Sequence, residues 1–163
     1  MRAALLIALF SASAGAAAPP APRSQMPAEA AAKSVGCVSC HAPTDAPSMH
    51  RNPAVQLGCT DCHGGDAAVL RAQNSVAGDD AYLRALRAAH VAPRDPQVWA
   101  ARRGANPERS YAALNRESPE FIRFMNPSDY RVAREACGAC HLDTIVKAER
   151  SMMATGVMLW GGA

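Results

Sequence analysis

Apolar residues in this chain fall in short, interrupted groups, and an acidic or capping residue, often followed by proline, stands at the head of most of them. The most regular group is DDAYLRALRAAHVAP, residues 79–93. Asp79 and Asp80 supply an acidic start, Leu83, Leu86 and His90 recur at i, i+3 and i+7, and Pro93 ends the run. That spacing predicts a helix with all three side chains on one face. Three further starts place proline at the first helical position: Asp95-Pro96 before PQVWAARRG, with Gly104 as a stop, Asn106-Pro107 before PERSYAAL, and Ser118-Pro119 before PEFIRFM. YRVAREACGACH reads as helix, and Ile145, Ala148 and Met152 keep helical spacing beyond it. No run of alternating apolar residues marks a sheet. The pattern predicts a mostly α chain with extensive loops and little or no sheet.

The first eighteen residues stand apart from this pattern. Arg2, the apolar run AALLIALF and the small-residue stretch SASAGAAA have the layout of a secretory signal peptide, residues 1–18, with cleavage after Ala14 or Ala18. The run is short for a membrane anchor, which needs about 20 apolar residues. Residues 19–33, rich in Pro and Ala, read as a flexible or extended lead-in. Residues 34–163 form the remaining domain. Its end, GVMLWGGA, is apolar where termini are usually solvated. Either this tail docks in a crevice or the sequence is the front of a longer protein, and the second reading is favoured.

Composition shifts the question from fold to filling. The 163 residues hold only three Phe, three Tyr and two Trp. A small chain so poor in large apolar side chains needs staples or a prosthetic group to complete its core. The formal charge of +3 is too small to argue for nucleic acid, and loss of Arg2 with the signal leaves about +2. The arginines, including those at 102 and 103, read as a solvated face or as partners for carboxylates.

The filling is indicated by a repeat. Cys-x-x-Cys-His occurs at Cys37, Cys40 and His41, at Cys59, Cys62 and His63, and at Cys137, Cys140 and His141. The three copies use all six cysteines and three of the five histidines. Disulfides suit an exported chain but leave the close pairs and their histidines unexplained. A redox dithiol explains the spacing but not three copies. Zinc accepts both ligand types, yet nine ligands do not divide into tetrahedral sets. Attachment of c-type haem uses every member: two thiols bond the porphyrin edge and the adjacent histidine meets the iron.

With these motifs and the segment SMHRNPAVQLGCTDCHGGD, residues 34–163 resemble the multihaem c-type cytochromes of bacterial periplasm and outer surface. The resemblance implies three c-type haems forming much of the core, and electron transfer in an extracytoplasmic respiratory chain. Redox donor and acceptor proteins would be the partners. The location would be the periplasm, an outer-membrane electron-transfer complex or the cell exterior. The alternative is a haem enzyme, or the front of one, whose third haem stays open to a small inorganic substrate. Iron that is closed on both sides needs a second axial ligand. His50 is assigned to the first haem and His90 to the second. The third haem then takes methionine, Met152 or Met153 with Met125 and Met158 behind, or stays open, or is completed from elsewhere. Trp99, Tyr111, Phe121 and Phe124 are expected against porphyrin faces.

Overall fold

The computed structural model describes residues 18–42, 45–46, 49–100 and 113–156. The signal peptide up to residue 17, the stretch 101–112 with Gly104, Asn106-Pro107 and Tyr111, and the tail after 156 with Met158 lie outside the described residues. About half of the described residues are helical and none is in a strand, so the chain is mostly α. The helices are α1 (Pro27–Ala32), α2 (Val35–His41), α3 (Cys59–His63), α4 (Asp80–Ala89), α5 (Pro96–Ala100), α6 (Pro119–Met125), α7 (Ala133–Glu149) and α8 (Met152–Thr155). Among the described residues no helix is long and apolar enough to cross a membrane.

Local chemistry accounts for most starts. The Asp79 carboxylate accepts the Tyr82 N–H at 2.7 Å and so caps α4. The Ser118 hydroxyl accepts the Phe121 N–H at 3.1 Å, with Pro119 opening α6. The predicted face of α4 differs in one respect. His90 is not the last helical residue but the cap beyond it, in extended conformation (φ −93°, ψ 148°). Its N–H still bonds the Leu86 carbonyl at 3.0 Å, but its ring leaves the helical register.

The lead-in is not a loose segment. It contains α1, opened by Pro27 and tied by a Glu29 carboxylate that accepts the Met26 N–H at 2.7 Å. Before α1 the chain bonds from Ala21 N–H to the Glu135 carbonyl at 2.9 Å. After it, the Lys33 carbonyl accepts the Thr60 N–H at 3.1 Å. Residues 18–33 thus run between α3 and α7 and join them.

α7 is two arms. At His141 the backbone leaves helical geometry (φ −116°, ψ 20°). Arg134 and Glu149 nonetheless meet, Nε to Oε1 at 3.0 Å and Nη2 to Oε2 at 2.5 Å. A straight helix would separate them by about 22 Å at 1.5 Å per residue. The arms must therefore fold back on one another about His141.

The apolar core is small. Leu114, Phe121, Ile122 and Val132 form its buried cluster, with Val91 and Trp99 packed against it. Trp99 meets Phe121 edge-on, 5.2 Å between ring centres, and its Nε1–H donates to the buried Glu117 carboxylate at 2.7 Å. Trp99 and Phe121 therefore pack with each other. Of ten buried apolar residues among those described, five are alanine, and α4 buries none of its own. The polypeptide by itself fills little interior.

Candidate haem-binding site

Each Cys-x-x-Cys-His motif sits in a helix, and the residue before its first cysteine is buried: Gly36, Gly58 and Ala136. In the first motif the Gly36 N–H donates to the Ala67 carbonyl at 2.7 Å. A Cβ there would lie 2.3 Å from the Val69 oxygen and 2.4 Å from the Ala67 oxygen. At Gly58 a Cβ would lie 2.5 Å from the Ala30 oxygen and from the Lys33 Cβ. Backbone thus approaches too closely for any side chain, and both motif helices are seated on neighbouring chain.

The second motif is the most heavily braced. Asp61, one of its two middle residues, is buried. Its carboxylate accepts Lys33 Nζ and the Gly58 N–H at 2.7 and 2.8 Å, and Gln25 Nε2 as well. Burial works against the charge on Asp61, but the bonds from Lys33, Gly58 and Gln25 outweigh it and hold its carboxyl below the usual range. From α6 the buried Arg123 guanidinium donates to the carbonyls of Cys62 at 3.0 Å, Asp61 at 2.6 Å and Ala18 at 3.0 Å. Nothing in the sequence marks Arg123 or Gln25 for this task, since their partners are distant in the chain.

All six cysteines are free thiols. Burial raises the thiols of Cys37, Cys62 and Cys137 above their ordinary value, with the neighbouring Cys59 adding at Cys37 and Cys137 adding at Cys62. The first and second motifs, and the second and third, are therefore close to each other. Among the described residues no three or more His, Cys, Asp or Glu side chains converge to hold a metal ion by themselves.

The histidines come together in pairs. The ring centres of His41 and His90 are 6.1 Å apart, with planes inclined by 33°. Those of His50 and His141 are 6.3 Å apart, with planes inclined by 6°. Each pair joins a motif histidine to one outside the motifs. The pairing differs from the sequence expectation: His90 stands beside the first motif rather than the second, and His50 beside the third rather than the first. Met152 is 57% exposed in α8, across the break after α7, and the ring beside His141 is that of His50. The reason is topological. The chain after α4 turns at His90 towards α2, while His50, ahead of α3, lies against the bend of α7.

The separations fit an iron between the rings. A metal–imidazole bond of about 2.0 Å on each side, with the ring centre about 1.1 Å behind each nitrogen, sets the ring centres about 6.2 Å apart. The remaining ring nitrogens are arranged for such a role. The Nδ1 of His63 bonds the Phe124 carbonyl at 2.8 Å. A carbonyl only accepts, so Nδ1 carries a proton and Nε2 is the nitrogen left to face a metal. The Nδ1 of His41 bonds the Asp45 carboxylate at 2.6 Å to the same effect. Burial, then the nearby His41, lowers the pKa of His90 and so favours its neutral imidazole. Phe124 packs its ring on His90, 4.9 Å between centres, while its carbonyl holds His63.

A cavity of about 780 Å³ opens beside His63 and His90, floored by Gly64 and Gly65 and edged by Arg123. Its volume falls in the range of about 300–1,000 Å³ usual for cofactor sites. Two glycines with positive φ, 68° and 78°, keep that floor free of side chains. Protein-family models, curated proteins and solved structures offer no match to this chain.

Proposed function

We propose that this chain carries three covalently attached c-type haems and transfers electrons through them. Cys37 and Cys40, Cys59 and Cys62, and Cys137 and Cys140 would each hold one porphyrin, with His41, His63 and His141 as the adjacent iron ligands. His90 would complete the iron of His41, and His50 that of His141. Haem supplies one-electron chemistry when bound, with a potential set by axial ligand, burial and hydrogen bonding.

One observation carries the reading. The ring centres of two histidines outside the motifs stand 6.1 and 6.3 Å from those of two motif histidines, a separation that a shared iron could span. A porphyrin brings four nitrogens of its own and needs only two ligands from protein. Pairs of imidazoles meet that need, whereas a zinc site built from side chains needs a larger cluster. The small apolar core and the unburied face of α4 support a large apolar group as the missing interior.

The chain's own residues then have definite tasks. Asp45 and the Phe124 carbonyl hold the Nδ1 protons of His41 and His63 and orient those rings. Gly36, Gly58 and Arg123 fix the motif backbones against the rest of the fold. The partners would be redox donor and acceptor proteins meeting exposed haem edges. The signal-like start supports a location outside the cytoplasmic membrane, in the periplasm or with an outer-membrane electron-transfer complex. The enzyme alternative relied on an open third haem, and the ring beside His141 is that of His50.

The test is a haem count. The chain is expressed with its leader in a host that attaches c-type haem, and its intact mass is measured after denaturation. The polypeptide plus three haems, with haem staining retained on a denaturing gel, is expected. A colourless protein of bare polypeptide mass would overturn the proposal.

A further inference from the structure

We infer that the iron of His63 has no histidine on its far face and is open to a small exogenous ligand, preferably a neutral diatomic molecule. The inference rests on the three-haem reading above and assigns one haem a property that the other two lack. All five histidines lie among the described residues. Ring contacts join four of them as His41 with His90 and His50 with His141. His63 has the Phe124 carbonyl on Nδ1 and enters neither ring pair, although His90 lines the same cavity with its ring turned to that of His41. It is thus prepared as an iron ligand in the same manner as His41, yet lacks an opposing imidazole.

Among the described residues no methionine lines the cavity beside His63. Met125, next to the carbonyl that holds His63, is 52% exposed. The surroundings also select by charge. Lys33 and Asp61 neutralise each other across 2.7 Å, which leaves Asp66, Glu120 and Glu135 against Arg123. A net negative lining disfavours an anion and leaves neutral ligands unpenalised.

The probe is carbon monoxide, titrated into the dithionite-reduced protein after its haems have been counted by mass. One carbon monoxide per three-haem chain is expected, with a Soret shift from one haem. A three-haem chain that binds none, or more than one, overturns the inference and leaves the electron-transfer proposal standing. A chain without three haems overturns both. His50→Ala and His90→Ala are each expected to raise the stoichiometry to two, and a variant that stays at one shows that its iron was the open one.

A second measurement locates the ligand without disturbing the fold. The iron–histidine stretch in the resonance Raman spectrum reports the hydrogen bond on the ligand's other nitrogen. Asp45 is exposed and bonds only the first motif's histidine among the iron-binding set. Asp45→Asn is expected to leave the stretch of the open haem unchanged. A shifted band would put the open iron at His41 and overturn the assignment.

Discussion

At the scale of single residues, the motifs depend on what precedes them as much as on their cysteines. Gly36 is pressed between its own helix and the carbonyls of Ala67 and Val69, and it donates to the first of these. Adding one methyl group there must displace backbone, since neither oxygen belongs to a flexible side chain. Gly36→Ala is expected to cost about 2 kcal/mol or more, from overpacking and a strained hydrogen bond. Chemical denaturation of the variant beside the parent checks this, and an unchanged midpoint would show that the contact yields freely. The sequence displays Gly before Cys in two motifs, but only the structure shows what lies against it.

At the scale of elements, helix starts were legible because they are written in adjacent residues. Asp79 and Ser118 cap the helices expected of them. The bend of α7 was not legible, because His141 carries no local signal for it and the arms close through Arg134 and Glu149 from opposite ends. The turn into α7 offers a test by pH. The carboxylate of half-buried Asp129 accepts the Arg131 guanidinium at 2.8 and 2.7 Å and the Arg131 N–H at 3.0 Å. Hydrogen bonding from Arg131 lowers its pKa, burial notwithstanding. A carboxyl whose folded pKa is depressed stabilises the fold above its ordinary value of about 4, and that contribution vanishes as pH falls through the folded value. Asp129→Asn is therefore expected to be less stable than the parent at neutral pH. The difference should close as both are acidified below about pH 4. Denaturation curves across that range check the convergence.

At the scale of the whole molecule, residues 18–33 act as a strap. Ala18 accepts from Arg123, Ala21 donates to Glu135, Gln25 and Lys33 brace Asp61, and Cys140 Sγ lies 4.0 Å from the Arg23 carbonyl. The second and third motifs are thereby held by the same stretch of chain. A flexible lead-in would be dispensable. Deletion of residues 19–26 is instead expected to lower the melting temperature by about 4 °C or more, because a domain of this size shifts by several degrees per kcal/mol lost. A melting curve that overlies the parent's would mean that the strap is idle. Pro and Ala content alone read as loose because the bonds that order this segment run to residues far along the chain.

The sequence by itself determined the three Cys-x-x-Cys-His sites, the mostly α character and the capped helix starts. Each of these depends on residues within one or two turns of each other, so no long-range packing is needed to read them. Tertiary structure alone decided which histidine meets which. His90 reaches His41 and His50 reaches His141 because the strap, α3 and α6 fix the three motifs in one arrangement, and chain order does not encode that arrangement. The same packing left His63 as the histidine without a partner ring. Counting histidines leaves one motif without an outside histidine. Only the fold shows that it is the second, because a ring pair is a contact across the molecule and not a spacing along the chain.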